Sequence, residues 1–227
     1  RFVTEAHKLG IAVIIDVVYN HLGPAELNLW QFDGWHENGK GGIYFYNDHR
    51  AVTPWGETRP DYGRGEVRQF LLDNALMWVG DYGLDGLRWD ATVFIRNING
   101  KNNDPDNDLS DGWSLMQWIN EEVRTVKPGA LLIAEDLQNN AFLTKPQEEG
   151  GAGFSAQWDG RFVHAVRSVL TGPEDAGRDM NVVRDTLISS ADGNPFSRVV
   201  YTESHDEVAN GKSRIPEEVD PGKASSW

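Results

Sequence analysis

The sequence predicts an α/β fold, a parallel sheet with crossover helices, and three observations carry that prediction. Short apolar runs alternate along the chain with segments of helical period. The runs lack strict alternation and are too short for helices, as expected of strands buried on both faces. Four of them finish in an acid, Asp16, Asp90, Glu135 and Asp206. Strands and helices alternating in this way build a parallel sheet, with all strand ends on one side.

The elements follow in order. Phe2, Val3, Ala6 and Leu9 recur at helical spacing and Gly10 stops them, so the chain reads as opening inside a helix and as a fragment. IAVIID (11–16) is the first buried strand. Residues 20–65, rich in Gly, Trp, Tyr, Asn and Asp and without periodicity, read as an insertion or subdomain within a single 1–227 domain. From Glu66 to Tyr82, the positions Val67, Phe70, Leu71, Ala75, Trp78 and Tyr82 form a helical stripe that Gly83 ends. LDGLRWD (84–90) is the next strand, followed by a polar loop to about Asp111. Leu115, Met116, Ile119, Val123 and Val126 mark another helix, closed by Pro128 and Gly129. ALLIAED (130–136), GFSAQWD (153–159) and RVVYTESHD (198–206) complete the strands, with helical stretches near 161–170 and 180–189 between them.

Composition narrows the function. At 227 residues and 39% hydrophobic content the chain can bury one sizeable core. A net charge of -14, with no Lys/Arg block, argues against a nucleic-acid partner. No apolar stretch approaches the length of a membrane span, and the start carries no signal-peptide pattern, so no membrane partner is expected. With no cysteine there is neither disulfide nor thiolate metal site, which fits the cytoplasm without excluding secretion.

The chemistry lies in the acids. Leu87 and Trp89 share one strand face and suit packing against helices, while Arg88 and Asp90 share the other. A guanidinium on the same face keeps a half-buried carboxylate ionised. An ionised carboxylate beside a second, protonated acid is the equipment of a retaining glycosidase. Glu135 is that second acid. If its strand neighbours that of Asp90, the interstrand spacing of about 4.8 Å approaches the ~5–5.5 Å carboxyl separation of retaining enzymes. Crowding by negative charge is expected to raise the pKa of the carboxyl not paired with Arg88, which makes Glu135 the proton donor. Asp206, after His205, suits hydroxyl binding and stabilisation of an oxocarbenium-like transition state.

Together, DVVYNH (16–21), GLRWDA (86–91), IAED (133–136) and ESHDE (203–207) resemble the four signature regions of the α-amylase family of glycoside hydrolases. The resemblance implies a (β/α)8 TIM barrel, here incomplete, with about strands 3 to 7 present and a short insertion after the third. It implies Asp90 as nucleophile, Glu135 as acid/base and Asp206 as transition-state stabiliser. His21, Arg88 and His205 would surround the sugar, Asp16 would be a supporting carboxylate, no cofactor is required and no metal ligand is assigned, although relatives that bind calcium use an asparagine like Asn20. SHDEVANGKS (204–213), TPWGETRPDYG (53–63) and EVRQFLLDNALMW (66–78) look like their counterparts in 1,4-α-glucan branching enzymes and also suit trehalohydrolase relatives. DVVYNH is more amylase-like, and WDATVFIRNI (89–98) departs from the branching pattern. The implied substrate is an α-glucan: glycogen, starch or a maltooligosaccharide.

Plainer readings compete. Arg88 and Asp90 alone could be a structural ion pair, Glu135 a helix-capping acid, and His21 and His205 structural histidines. Trp78, Trp89, Trp113 and Trp118 suit packing, whereas Trp30, Trp35 and Trp55 in the insertion are candidate sugar platforms. DPDNDLSDG (104–112) imitates a calcium loop but has Leu109 at the glycine position and Leu115 at the closing glutamate. GKGG (39–42) lacks the strand and helix of a phosphate cradle. A non-catalytic glycan-binding fragment and a metal hydrolase using Glu203, His205 and Asp206 are the other two function classes. The second is disfavoured because adjacent strand residues point to opposite faces.

Overall fold

A computed structural model describes residues 1–23, 28–172, 174–189, 193–209 and 211–219. Five parallel strands run in chain order across one sheet: β1 (Ile14–Val17), β2 (Gly86–Trp89), β3 (Leu131–Ala134), β4 (Ala156–Trp158) and β5 (Arg198–Val199). The helices are α1 (Phe2–Lys8), α2 (Gly65–Leu76), α3 (Val93–Arg96), α4 (Ser110–Val126), α5 (Gly160–Leu170), α6 (Met180–Ile188), α7 (His205–Val208) and α8 (Ile215–Val219). This is an incomplete (β/α) barrel. The calls on residues 24–27 of the insertion, on Asn210 of SHDEVANGKS and on the last residues of the domain, 220–227, lie outside the described residues.

Residues of one period build the core. Val67, Leu71 and Ala75 of α2, and Leu115, Met116, Ile119 and Val123 of α4, pack on Leu87, Trp89, Leu132 and Ala134 of the sheet. Trp89 is fully buried, edge-on to Tyr19 at 5.0 Å and to Phe154 at 5.6 Å. The approach of β3 to β2 requires glycine at 86, since a Cβ there would sit 2.1 Å from the Leu131 carbonyl oxygen. Below the strands, Asp85 ties three elements together: it accepts from Val13 N (2.7 Å) and Lys127 Nζ (2.9 Å) and contacts His7 Nε2 (2.7 Å).

Segment 20–65 has little regular structure but joins the same core through Tyr46, Ala51 and Tyr62. Its anchor is Arg59, whose buried guanidinium donates to the carbonyls of Val52, Phe94, Asn97 and Ile98. Those bonds join the segment to the loop after β2, and so to the strand end that carries the acids.

Two boundaries differ from the sequence reading. The stripe to Tyr82 is helical, but α2 ends at Leu76 and the chain widens into a π-type turn over Met77–Asp81 before Gly83 adopts φ +71°. The last strand stops at Val199, well short of Asp206. Ser204 is extended, its side chain accepts from Glu207 N, and this cap starts α7, so His205 and Asp206 stand on a helical turn beyond the strand. At both ends of the sheet apolar side chains are exposed, Phe2, Leu9 and Ile11 beside β1 and Ile188 and Phe196 beside β5. Among the described residues, no helix is long and apolar enough to cross a membrane.

Candidate active site

Parallel registry brings the acids together. Asp16 pairs with Arg88, and Trp89 with Ala134, so Asp90 and Glu135 leave neighbouring strands side by side. The ladder continues one step further: Asp90 N donates to Val17 O at 3.0 Å and Glu135 N to Trp89 O at 2.9 Å. Leu87 and Trp89 face the core, as alternation requires, and Arg88 points the other way into the carboxylates.

One guanidinium organises that face. Arg88 Nη1 donates to both oxygens of Asp16 (2.6 and 2.7 Å) and to Asp90 Oδ1 (2.9 Å). Its Nη2 lies 2.9 Å from Glu135 Oε2, an ionic contact without hydrogen-bond alignment. Since both contacts come from one rigid fork, Asp90 Oδ1 and Glu135 Oε2 stand no more than about 8 Å apart. Such a pair can flank a single glycosidic bond. The indole of Trp158, at the end of β4, covers the guanidinium at 4.3 Å and shields its contacts from water.

Glu135 is buried, and burial is the main reason its pKa rises above the ordinary carboxylate value. The charge of Arg88 and a 3.0 Å hydrogen bond from Ala91 N oppose the rise, while the charges of Asp90 and Asp206 add to it. The direction agrees with the sequence argument but the cause does not: Arg88 touches Glu135 as well as Asp90, and desolvation outweighs crowding. Ala91, which donates that bond, has φ +39°, a strained conformation for alanine. Behind Glu135, the buried Arg96–Asp136 pair (2.8 Å) and the bond from Thr92 N to Glu135 O (2.8 Å) fix the strand end.

Of the residues singled out from sequence, Asp16, Arg88, Asp90 and Glu135 meet directly. His21 joins them through Asn20, whose Nδ2 donates to Asp90 Oδ2 (2.8 Å) and Asp90 O (2.9 Å), and whose Oδ1 meets His21 Nδ1. The imidazole stacks on Trp55 at 4.8 Å, so of the three candidate tryptophan platforms Trp55 stands at the site. Burial lowers the pKa of His21 against the pull of Asp90, favouring a neutral ring. Asp206 and His205 stand off from the cluster on α7, both exposed, and contact each other at 3.4 Å. Asp206 reaches Glu135 through its charge alone. Glu203, of the metal reading, turns to Arg214 (3.0 Å) and Ile215 N (2.7 Å) instead.

The sequence reading missed Trp158 and Tyr201, whose rings lie 4.8 Å apart, and noted Asn20 only as the counterpart of a calcium-binding asparagine. Asn20 sits inside DVVYNH, so the motif itself held the signal. Trp158 precedes Asp159 at a strand end, a position of the same kind as that of Arg88 and Asp90.

No family model matches the chain. A 1,4-alpha-glucan branching enzyme, GlgB, of Pseudoalteromonas atlantica is 32% identical over 230 residues, which cover 94% of this chain and 30% of the relative. A malto-oligosyltrehalose trehalohydrolase of Saccharolobus solfataricus is 34% identical over 247 residues, covering 97% of this chain and 40% of the relative. The crystal structure of a putative alpha amylase from Salmonella typhimurium superposes with a TM-score of 0.63 at 25% identity, over 91% of this chain and 36% of that one. The chain thus spans about a third of the length of the curated relatives it matches.

Proposed function

The chain belongs to the α-amylase family of glycoside hydrolases, and from that premise we propose that it supplies the catalytic face of a retaining enzyme cleaving α-1,4-glucosidic bonds, most simply of the glucan-branching type. The observation that carries the reading is the Asp90–Arg88–Glu135 contact: one carboxylate is held by a guanidinium while its neighbour is desolvated toward the protonated form.

In the first displacement an Asp90 oxygen attacks the anomeric carbon. The bond to the glycosidic oxygen breaks, its electron pair stays on that oxygen, and Glu135 delivers the proton. The product is a glycosyl ester on Asp90. In the second displacement the Glu135 carboxylate takes the proton of an acceptor hydroxyl, the acceptor oxygen attacks the same carbon, and Asp90 leaves. Asp206 opposes the positive charge developing on the sugar, and His21, Arg88 and His205 bind its hydroxyls. Asp16 holds Arg88 from the far side. A sugar 6-hydroxyl as acceptor gives a branch; water gives hydrolysis. Likeness to the trehalohydrolase keeps hydrolysis as the second reading.

Incubating the protein with amylose separates the outcomes. Loss of iodine colour with few new reducing ends supports branching, abundant new ends support hydrolysis, and binding without either leaves a glycan-binding module. Asp90→Asn must abolish both reactions; a variant that still turns over amylose overturns the assignment.

A further inference from the structure

We propose that Asn20 is a positioning residue, a single amide that orients the nucleophilic carboxylate of Asp90 and fixes the proton of His21 on Nδ1. The proposal rests on the reading of Asp90 as nucleophile for its first half alone; the second half concerns geometry only.

Asn20 is fully buried, so every polar atom it carries must be satisfied inside the protein. Its Nδ2 has two hydrogens, and both are spent on Asp90, one on the main-chain oxygen and one on Oδ2. Both partners are acceptors only, which settles the orientation of the amide: turned the other way, Oδ1 would face two oxygens. Oδ1 therefore faces His21 Nδ1, and because it only accepts, Nδ1 must carry the hydrogen. In the neutral ring Nε2 is left as an acceptor for a sugar hydroxyl. Trp55, nearly parallel to the imidazole at 8°, holds the ring plane from the outside.

The effect on Asp90 follows from the same bonds. Arg88 holds Oδ1 and Asn20 holds Oδ2, so the carboxylate plane is pinned at both oxygens. Without Asn20 the group could turn about its own bond, and fewer of its conformations would point a lone pair along the line of attack.

The test uses Asn20→Ala and the isosteric Asn20→Asp in the full chain, each first checked for cooperative melting. Nitrogen-15 spectra of the His21 ring, recorded above its titration, should place hydrogen on Nδ1 in the unmodified protein and shift it toward Nε2 in Asn20→Ala. In Asn20→Asp a carboxylate faces both neighbours, so the hydrogen should stay on Nδ1 and the His21 titration should move to higher pH. With α-maltotriosyl fluoride as probe, release of fluoride should slow about 10- to 100-fold in Asn20→Ala, as expected for losing a hydrogen bond to a charged group. KM should change less than about threefold and the drop should be larger in Asn20→Asp.

Hydrogen on Nε2 in the unmodified protein overturns the tautomer half. Fluoride release within about twofold of normal in a folded variant overturns the orienting half. If Asn20→Ala does not fold, Asn20→Asp decides alone, by the same rate and titration criteria. An unmodified protein that forms no glycosyl ester on Asp90 defeats the proposed function and the orienting half with it, while the nitrogen spectra still decide the tautomer.

Discussion

Replacing Arg88 with leucine leaves Asp16, Asp90 and Glu135 facing one another around an apolar side chain. Unit charges about 4 Å apart interact by about 4 kcal/mol at the effective dielectric of a protein surface. Part of that attraction is returned by no longer desolvating the guanidinium, and Asp16 is half exposed and screened. Removing one partner from a buried ionic cluster then costs about 3–5 kcal/mol. The sign of its pH dependence follows from linkage. In the variant the crowded carboxylates bind protons more tightly than in the unfolded chain, so stability is retained at low pH and lost as pH rises. Urea unfolding at pH 7 and at pH 4 should therefore show a large deficit that shrinks toward acid, and Arg88→Lys, which keeps the charge but not the fork, should lie between. A deficit below about 1 kcal/mol at pH 7, or one that does not shrink at pH 4, would refute the claim that this guanidinium neutralises the cluster.

Four further outcomes are expected. Glu135→Gln should lose about 10²- to 10⁴-fold in amylose turnover yet still release a first equivalent of fluoride rapidly from α-maltosyl fluoride, whose leaving group needs no proton, before slowing because the second displacement lacks its base; reducing-end and burst-phase fluoride assays read the two. The same variant should melt no lower than the unmodified protein at neutral pH, because burial raises the Glu135 pKa and its ionised form weakens the fold as pH rises through that range; any advantage should fade toward pH 4 on calorimetry. Trp158→Leu and Arg88→Lys should couple by about 0.5–2 kcal/mol in a double-mutant cycle of urea unfolding. Asp85→Asn should lower the melting temperature at pH 7, and the deficit should close as acid protonates Asp85, whose pKa is depressed chiefly by the Val13 amide and by Lys127.

What the residues revealed of this site depended on how local the controlling physics was. Alternation along β2 puts Arg88 and Asp90 on one face whatever surrounds them, and parallel pairing with β3 carries Glu135 alongside. Both are consequences of a two-residue period and were legible. The place of Asp206 was not, because the apolar run RVVY continues the strand pattern while the Ser204 cap, three residues before Glu207, diverts the chain into a helix. A cap competing with a strand is decided by tertiary packing, and β5 offers only two residues of pairing to β4. Trp158 over Arg88 depends on how the strands twist across the sheet, and no spacing within the chain encodes that.

The strained turn at Ala91 belongs to the same class and carries a mechanistic consequence. A left-handed alanine directly after Asp90, the proposed nucleophile, is unfavourable by about 1–3 kcal/mol, and the packing around it has to maintain it. At this turn Ala91 N donates to Glu135 Oε2, an oxygen that Arg88 also approaches. The Ala91 donor and the nearby guanidinium charge on Oε2 leave the proton of the acid to Oε1. In the proposed mechanism the Ala91 amide thus leaves Oε1 of Glu135 to transfer the proton, and it links the two carboxylates through backbone as well as through the guanidinium. Glycine at 91 would adopt the turn without strain but would also leave it freely, so a more stable unfolded ensemble and a less directed proton donor should accompany each other in Ala91→Gly.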